Sequence, residues 1–165
     1  MSKKTVRGAK IYLAGRYGRR EEIAGYAEEL RRLGAIITSY WLAGSHDLDG
    51  TEDAEQKTAK ERMWAVEDLG DVDYANWLIA FTEHPDGVVP GRARGGRHVE
   101  FGFALAQGNK RLIVVGPREN VFHCLARVEQ YDTWRDCLAA LQAEAMSAED
   151  IRFLAEVSQR LAHGA

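Results

Sequence analysis

The chain predicts an α/β fold: a single-domain, Rossmann-like three-layer sandwich whose parallel sheet of about five strands lies between two layers of helix. Three observations carry this. Short, unbroken apolar runs alternate along the chain with stretches whose apolar residues recur every three or four positions. The runs lack polar–apolar alternation, as suits parallel strands covered on both faces. The β-α-β-α order makes such a sheet with helices on either side, and 165 residues match the usual ~100–200 residues per domain.

Taken in order, Ile11-Tyr12-Leu13-Ala14 is the first strand, ended by Gly15. From Arg20 to Leu33 the positions Ile23, Tyr26, Ala27, Leu30 and Leu33 form one helical face, and Gly34 follows as a C-terminal stop. Ala35 to Tyr40 is a second strand. Residues 44–56 carry five acids and no Lys or Arg, and read as a solvated loop. A weaker apolar stripe, Ala59, Met63 and Val66, marks a helix from Ala54 to Leu69. Trp77–Phe81 is the third strand, Val99–Gln107 a short apolar helix stopped by Gly108, Leu112–Val115 the fourth strand and Arg127–Tyr131 a weak fifth. Helices over Thr133–Ala145 and Ser147–Ala162 close the chain, the latter with Ser147 as N-cap and acids at 149 and 150. The core spans residues 10–131, with the helices of 133–162 appended.

Composition narrows the function. Twenty-two basic and 25 acidic residues leave a net charge of −3, which argues against a nucleic-acid polymer held by bulk charge. Two cysteines, Cys124 and Cys137, are too few for a disulfide scaffold and lack zinc-knuckle spacing. They read as small buried hydrophobes in a reducing compartment. The N-terminal stretch has no apolar signal region and no segment approaches the ~20 apolar residues of a membrane span, so a cytoplasmic protein without membrane partners is expected.

In open parallel sheets ligands bind at the carboxyl ends of strands, near the switch in strand order. The loops that begin at Gly15, Thr82 and Gly116 are therefore the ones that matter. The first, Gly15-Arg16-Tyr17-Gly18-Arg19-Arg20, is neither a dinucleotide fingerprint nor a P-loop. Two glycines and three arginines at a helix start suit an anion; equally, Glu21 and Glu22 answer a basic surface turn. The loop from Thr82 to Arg97 is long against the usual ~2–6 residues and contains Arg92, Arg94 and Arg97 without an acid beyond Asp86. It delivers Gly95-Gly96-Arg97-His98-Val99-Glu100, placing Glu100 in a helix first turn whose dipole favours its ionised form. Such a carboxylate is either a nucleophile or stabiliser of a cationic transition state, or simply a first-turn acid satisfying the dipole. His98-Val99-Glu100 matches part of the zinc-deaminase motif, but the second cysteine pair is missing. His123 and Cys124, being adjacent, cannot face each other on a helix. Four acids, Glu67, Asp68, Asp71 and Asp73, gather at a helix C-terminus that disfavours them, so another element should use at least one.

These pieces together resemble the nucleoside 2-deoxyribosyltransferase family, which includes 2′-deoxynucleoside 5′-monophosphate N-hydrolases. The resemblance runs over residues 10–131. It is carried by Lys10-Ile11-Tyr12-Leu13-Ala14-Gly15, by the acid ahead of the third strand, and above all by Glu100-Phe101-Gly102-Phe103-Ala104-Leu105-Ala106 after a glycine-bearing loop. It implies a flavodoxin-like fold, no metal and no organic cofactor, and double displacement at C1′ of a deoxyribose. Glu100 would be the nucleophile, Asp68 would move the proton for base departure, and Tyr12 would hold the nucleophile by hydrogen bonding. Gly15, Arg16, Arg19, Arg94, Gly96, His98 and Asn120 would surround the substrate. Arg94 with Arg16, Arg19 and Arg20 tilts the expectation toward a 5′-phosphate. The partners implied are a nucleoside or nucleotide, a free base and a second subunit, reached through Gly116–His123. There Val121 and Phe122 would anchor a homo-oligomer and Asn120 would complete the neighbour's site; the same segment could instead pack on its own sheet. Two other readings remain: a ribonucleotide phosphoribohydrolase, whose Pro-Gly-Gly-x-Gly-Thr-x-x-Glu signature is only partly present, and a nucleotide-binding sensor without turnover.

Overall fold

A computed structural model of the protein describes residues 5–44, 46–83 and 95–146, together with Asp150, Phe153 and Gln159. Apart from Asp150, Phe153 and Gln159, the segment 147–162 expected as a helix lies outside the described residues, as do the loop residues 84–94, Arg94 among them.

Five strands form one parallel sheet in the order β2-β1-β3-β4-β5: β1 Lys10–Ala14, β2 Ile36–Ile37, β3 Trp77–Phe81, β4 Arg111–Val115 and β5 Val128–Tyr131. This is the flavodoxin-like order, with its topological switch between β1 and β3. The three apolar runs became the three central strands because each is buried on both faces. Ile11 through Ala14, all of β3 and Leu112 through Val115 are sealed from solvent. Their register aligns Ile11 with Trp77 and Trp77 with Arg111.

The helices divide between the two faces. Helix α1 (Arg20–Arg32) and helix α4 (Trp134–Ala145) share one, where Tyr26 stacks on Trp134 at 4.7 Å between centroids and the Trp134 indole donates to Glu29 at 2.6 Å. Helices α2 (Ala54–Tyr74) and α3 (Gly95–Gln107) pack together on the other, joined at their C-terminal ends by Gln107 donating to Asp73 at 2.8 Å. Among the described residues no helix is long and apolar enough to cross a membrane.

Three elements depart from expectation. The second strand keeps two residues instead of six. Thr38 and Ser39 spend their hydroxyls elsewhere: Thr38 donates to the Asp71 carbonyl at 3.1 Å, while Ser39 Oγ accepts from the Leu13 N–H at 2.6 Å. The Thr38 N–H makes the last backbone bond to β1, to the Ile11 carbonyl at 2.9 Å; beyond it side-chain bonds take over and the chain coils into a 3₁₀ turn at Tyr40–Ala43. The second helix runs five residues beyond Leu69. Its acids are used by other elements: Asp71 accepts the Tyr40 N–H at 2.7 Å, and Lys110 caps the carbonyls of Asp73 and Ala75, which answers the dipole at that end. The third helix begins at Gly95, four residues early, so Glu100 stands in its second turn.

Candidate active site

The carboxyl end of β1 opens into a cavity of about 650 Å³, walled by α2 and α3 and roofed by the turn after β2. Each wall follows from the sequence. Gly15 ends β1 where a side chain would collide with Ile23 in the first turn of α1, so glycine lets that helix close on the sheet. The roof is tied to β1: the Trp41 indole donates to the Leu13 carbonyl at 2.9 Å beside the Ser39 bond. Helix α2 presents Glu61, Trp64, Ala65 and Asp68 to the cavity, residues that share one face at helical spacing. Helix α3 contributes Gly96, Val99 and Glu100 from consecutive turns of one face. Tyr17, Trp41 and His46 complete the lining.

The structure therefore brings Glu100, Asp68, Gly15 and Gly96 together, with Tyr12 buried behind them in the centre of β1. Burial, reinforced by the neighbouring Asp68 charge, pushes Glu100 up to about 8, against the opposing pull of the Tyr12 hydroxyl and Arg97. This corrects the expectation of an ionised first-turn carboxylate: Glu100 is too far along the helix for the dipole to dominate and too dry to ionise readily. Burial also raises Asp68, with His46 opposing and Asp71 adding to the rise. Tyr12 is held well above its usual range by burial and then by Glu100 and Asp68, and stays a neutral phenol. Two carboxyls in one dry cavity repel when both are charged, so near neutral pH the pair retains a proton.

His46 is the residue sequence reasoning missed. It falls in the acidic stretch expected to be a solvated loop, yet its side chain is only 9% exposed. Its ring meets Trp64 edge-on at 5.2 Å, and Nε2 lies 3.9 Å from Glu67 Oε2 and 4.0 Å from Asp68 Oδ1. Trp64 was legible only through its spacing from Asp68 on one helix face. Tyr12 Oη, His46 Nε2, Trp64 Nε1, Glu67 Oε2 and Asp68 Oδ1 are all buried without a hydrogen-bond partner at standard distance. Three of these atoms, on His46, Trp64 and Asp68, belong to residues that line the cavity, which suits a polar guest.

The remaining predicted binding residues lie elsewhere. Arg16 Nε and Arg19 Nε face Glu83 Oε1 at 3.3 and 3.8 Å, and Arg19 also forms a two-pronged bond with Glu22 at 2.8 and 2.7 Å. Arg20 packs over the Tyr17 ring, 5.5 Å from its centroid. The basic turn is thus met by acids of this chain, Glu83 among them. His98 and Asn120 stand on the opposite side of α3 from Glu100. They line a second cavity of about 490 Å³ with Phe101, Gly102, Leu105 and Phe122. There Asn120 Nδ2 sits 3.4 Å from His98 Nδ1 and 3.3 Å from His123 Nε2, beside the buried Arg97–Glu119 ion pair. Val121 and Phe122 are exposed next to it. Among the described residues no group of three His, Cys, Asp or Glu side chains is placed to hold a metal ion.

The strand order defines the class: flavodoxin-like α/β proteins, here with a cavity at the carboxyl end of β1 beside the switch in strand order. No protein-family model and no curated protein matches the chain. Among solved structures it is similar to a 2-deoxyribosyltransferase from the psychrotolerant bacterium Bacillus psychrosaccharolyticus, with a TM-score of 0.52 and 17% identity over 81% of this chain and 96% of that one. It is also similar to the CMP N-glycosidase BcmB of Clostridium botulinum, with a TM-score of 0.48 and 20% identity over 81% of this chain and 98% of that one. At such identities the likeness is one of fold.

Proposed function

We propose that this protein is an N-glycosyl transferase or hydrolase of the nucleoside 2-deoxyribosyltransferase kind. It cleaves the bond between base and sugar in 2′-deoxynucleosides or their 5′-monophosphates through a glutamate nucleophile. The observation that carries the reading is the half-buried Glu100–Asp68 pair, with the buried Tyr12 phenol behind it, facing a cavity of about 650 Å³ at the carboxyl end of β1. The solved 2-deoxyribosyltransferase of similar fold lends it support.

The shared proton gives the chemistry its order. With the proton on Asp68, Glu100 is a carboxylate and attacks C1′. As the Glu100 O–C1′ bond forms, the C1′–N bond breaks and its electron pair goes to the base, which takes the proton from Asp68. In the second half a water or another base attacks C1′, Glu100 leaves, and the attacking group's proton passes to Asp68. Positive charge develops on the sugar in the transition state of each step, and the carboxylates surrounding the cavity stabilise it. Tyr12 positions Glu100 from behind. The aromatic walls, Tyr17, Trp41 and Trp64, suit the faces of a planar base. Asn120 and Phe122, on the far side of α3, are assigned to a subunit interface through which a second copy completes the site.

The test incubates the protein with each 2′-deoxynucleoside and each monophosphate, with and without a second free base, and separates the products by chromatography. Base release or base exchange that is lost in Glu100→Ala supports the reading. No release and no exchange from any deoxy-substrate overturns it. Release from ribonucleoside monophosphates alone points to a phosphoribohydrolase instead.

A further inference from the structure

We infer that Glu83 decides the substrate: its carboxylate fills the anion seat made by Arg16 and Arg19, so the site takes uncharged nucleosides in preference to nucleoside 5′-monophosphates. This deepens the functional reading above and rests on it.

The seat stands at the same sheet edge as the cavity: Gly15, which lines the cavity, follows Ala14, and Ala14 pairs with Ala80 three residues before Glu83. Glu83 Oε1 lies between the two guanidinium groups, 3.3 Å from Arg16 Nε and 3.8 Å from Arg19 Nε. All three side chains are shielded, at 13% exposure for Glu83, 20% for Arg16 and 21% for Arg19, so their attraction is stronger than that of an exposed pair. Among the described residues, Glu22 chelates Arg19 from the other side. A phosphate entering it would confront the Glu83 charge before gaining either arginine. Among the described residues no Lys or Arg side chain lines the cavity itself.

Glu83 is held there from behind. The buried Thr82 before it bonds to Val115 through both its N–H, at 2.9 Å, and its hydroxyl, at 3.1 Å. The Glu83 N–H donates to Glu119 at 3.1 Å, and Glu119 is itself fixed by the buried Arg97. Arg19 is tied to the same strand end, donating to the Thr82 carbonyl at 3.4 Å. The carboxylate thus springs from the rigid end of β3, which suits a fixed occupant of the seat.

The experiment compares kcat/KM for a 2′-deoxynucleoside and its 5′-monophosphate in the wild type and in Glu83→Gln, which keeps the side chain's size and removes its charge. The wild type is expected to favour the nucleoside by about tenfold or more, and the ratio of monophosphate to nucleoside to rise at least about tenfold in the variant. In parallel, calorimetric titration with inorganic phosphate reads the seat without turnover. Phosphate is expected to bind Glu83→Gln at least about tenfold more tightly than the wild type. A wild type that prefers the monophosphate overturns the inference, and that measurement needs no variant. So does a folded Glu83→Gln protein with an unchanged ratio and unchanged phosphate affinity. If neither protein cleaves any substrate the functional reading falls, and the phosphate titration alone then decides for or against Glu83 as the occupant.

Discussion

Replacing Glu100 by glutamine should stabilise this protein in alkaline solution while abolishing its activity. Glu100 is raised from the ordinary carboxylate value of 4.5 to about 8 by burial and by Asp68. Between those values the folded chain holds a proton that the unfolded chain has released. The sign follows: folded-state stability from this group is complete below about pH 4.5 and is lost as pH rises through about 8. At 1.36 kcal/mol per pH unit, the full ionisation costs on the order of 5 kcal/mol. Glutamine has nearly the same shape and never ionises, so the variant escapes that loss. The two proteins should match near pH 5, and by pH 9 the variant should be ahead by a few kcal/mol. At about 2–4 °C per kcal/mol for a chain of this size, that is roughly ten degrees in Tm. Urea and thermal melts of both proteins from pH 5 to pH 9 measure it. Parallel stability curves, or a variant below the wild type throughout, would refute the claim that Glu100 ionises against its surroundings.

Other consequences are open to measurement. Asp68→Asn removes the second cause of the high Glu100 titration, so the Glu100 carboxyl resonance should titrate about one to two pH units lower by NMR. Base release should fall by about 10²-fold or more in the same variant, less so for a substrate whose base leaves readily. Tyr12→Phe should slow turnover about tenfold or more yet melt within a few degrees of the wild type, because the buried ring that fills the core remains. Phe122→Glu places a charge on the exposed apolar patch beside the second cavity; sedimentation velocity should show the wild type self-associating and the variant dissociated, with activity reduced.

The parts of the fold legible in the sequence were those decided locally. Ile11–Ala14, Trp77–Phe81 and Leu112–Val115 declare themselves as strands because they are apolar throughout. The second strand was overcalled because Thr38 and Ser39 have strand propensity but use their hydroxyls on α2 and β1, partners distant in sequence. The start of α3 was placed late because Gly95 and Gly96 read as loop, although glycine costs least at a helix end. At the site, Glu100, Asp68 and Tyr12 were found through a motif. His46 was not, since a lone histidine among acids carries no pattern until the chain folds back over Trp64. The Glu83–Arg16 pairing joins loops more than sixty residues apart and left no local mark. The raised titration of Glu100 depends on burial, which the helix-dipole reading alone could not supply.

The most direct test of the central claim is to trap the covalent step. The protein is mixed with a 2′-deoxynucleoside whose sugar is fluorinated to slow the second displacement, then denatured, digested and mapped by mass spectrometry. The mechanism predicts a stoichiometric sugar adduct on the peptide containing Glu100, on that residue's carboxyl and absent in Glu100→Ala. An adduct on any other residue, or base release with no adduct from a Glu100→Ala protein that is still active, would contradict it.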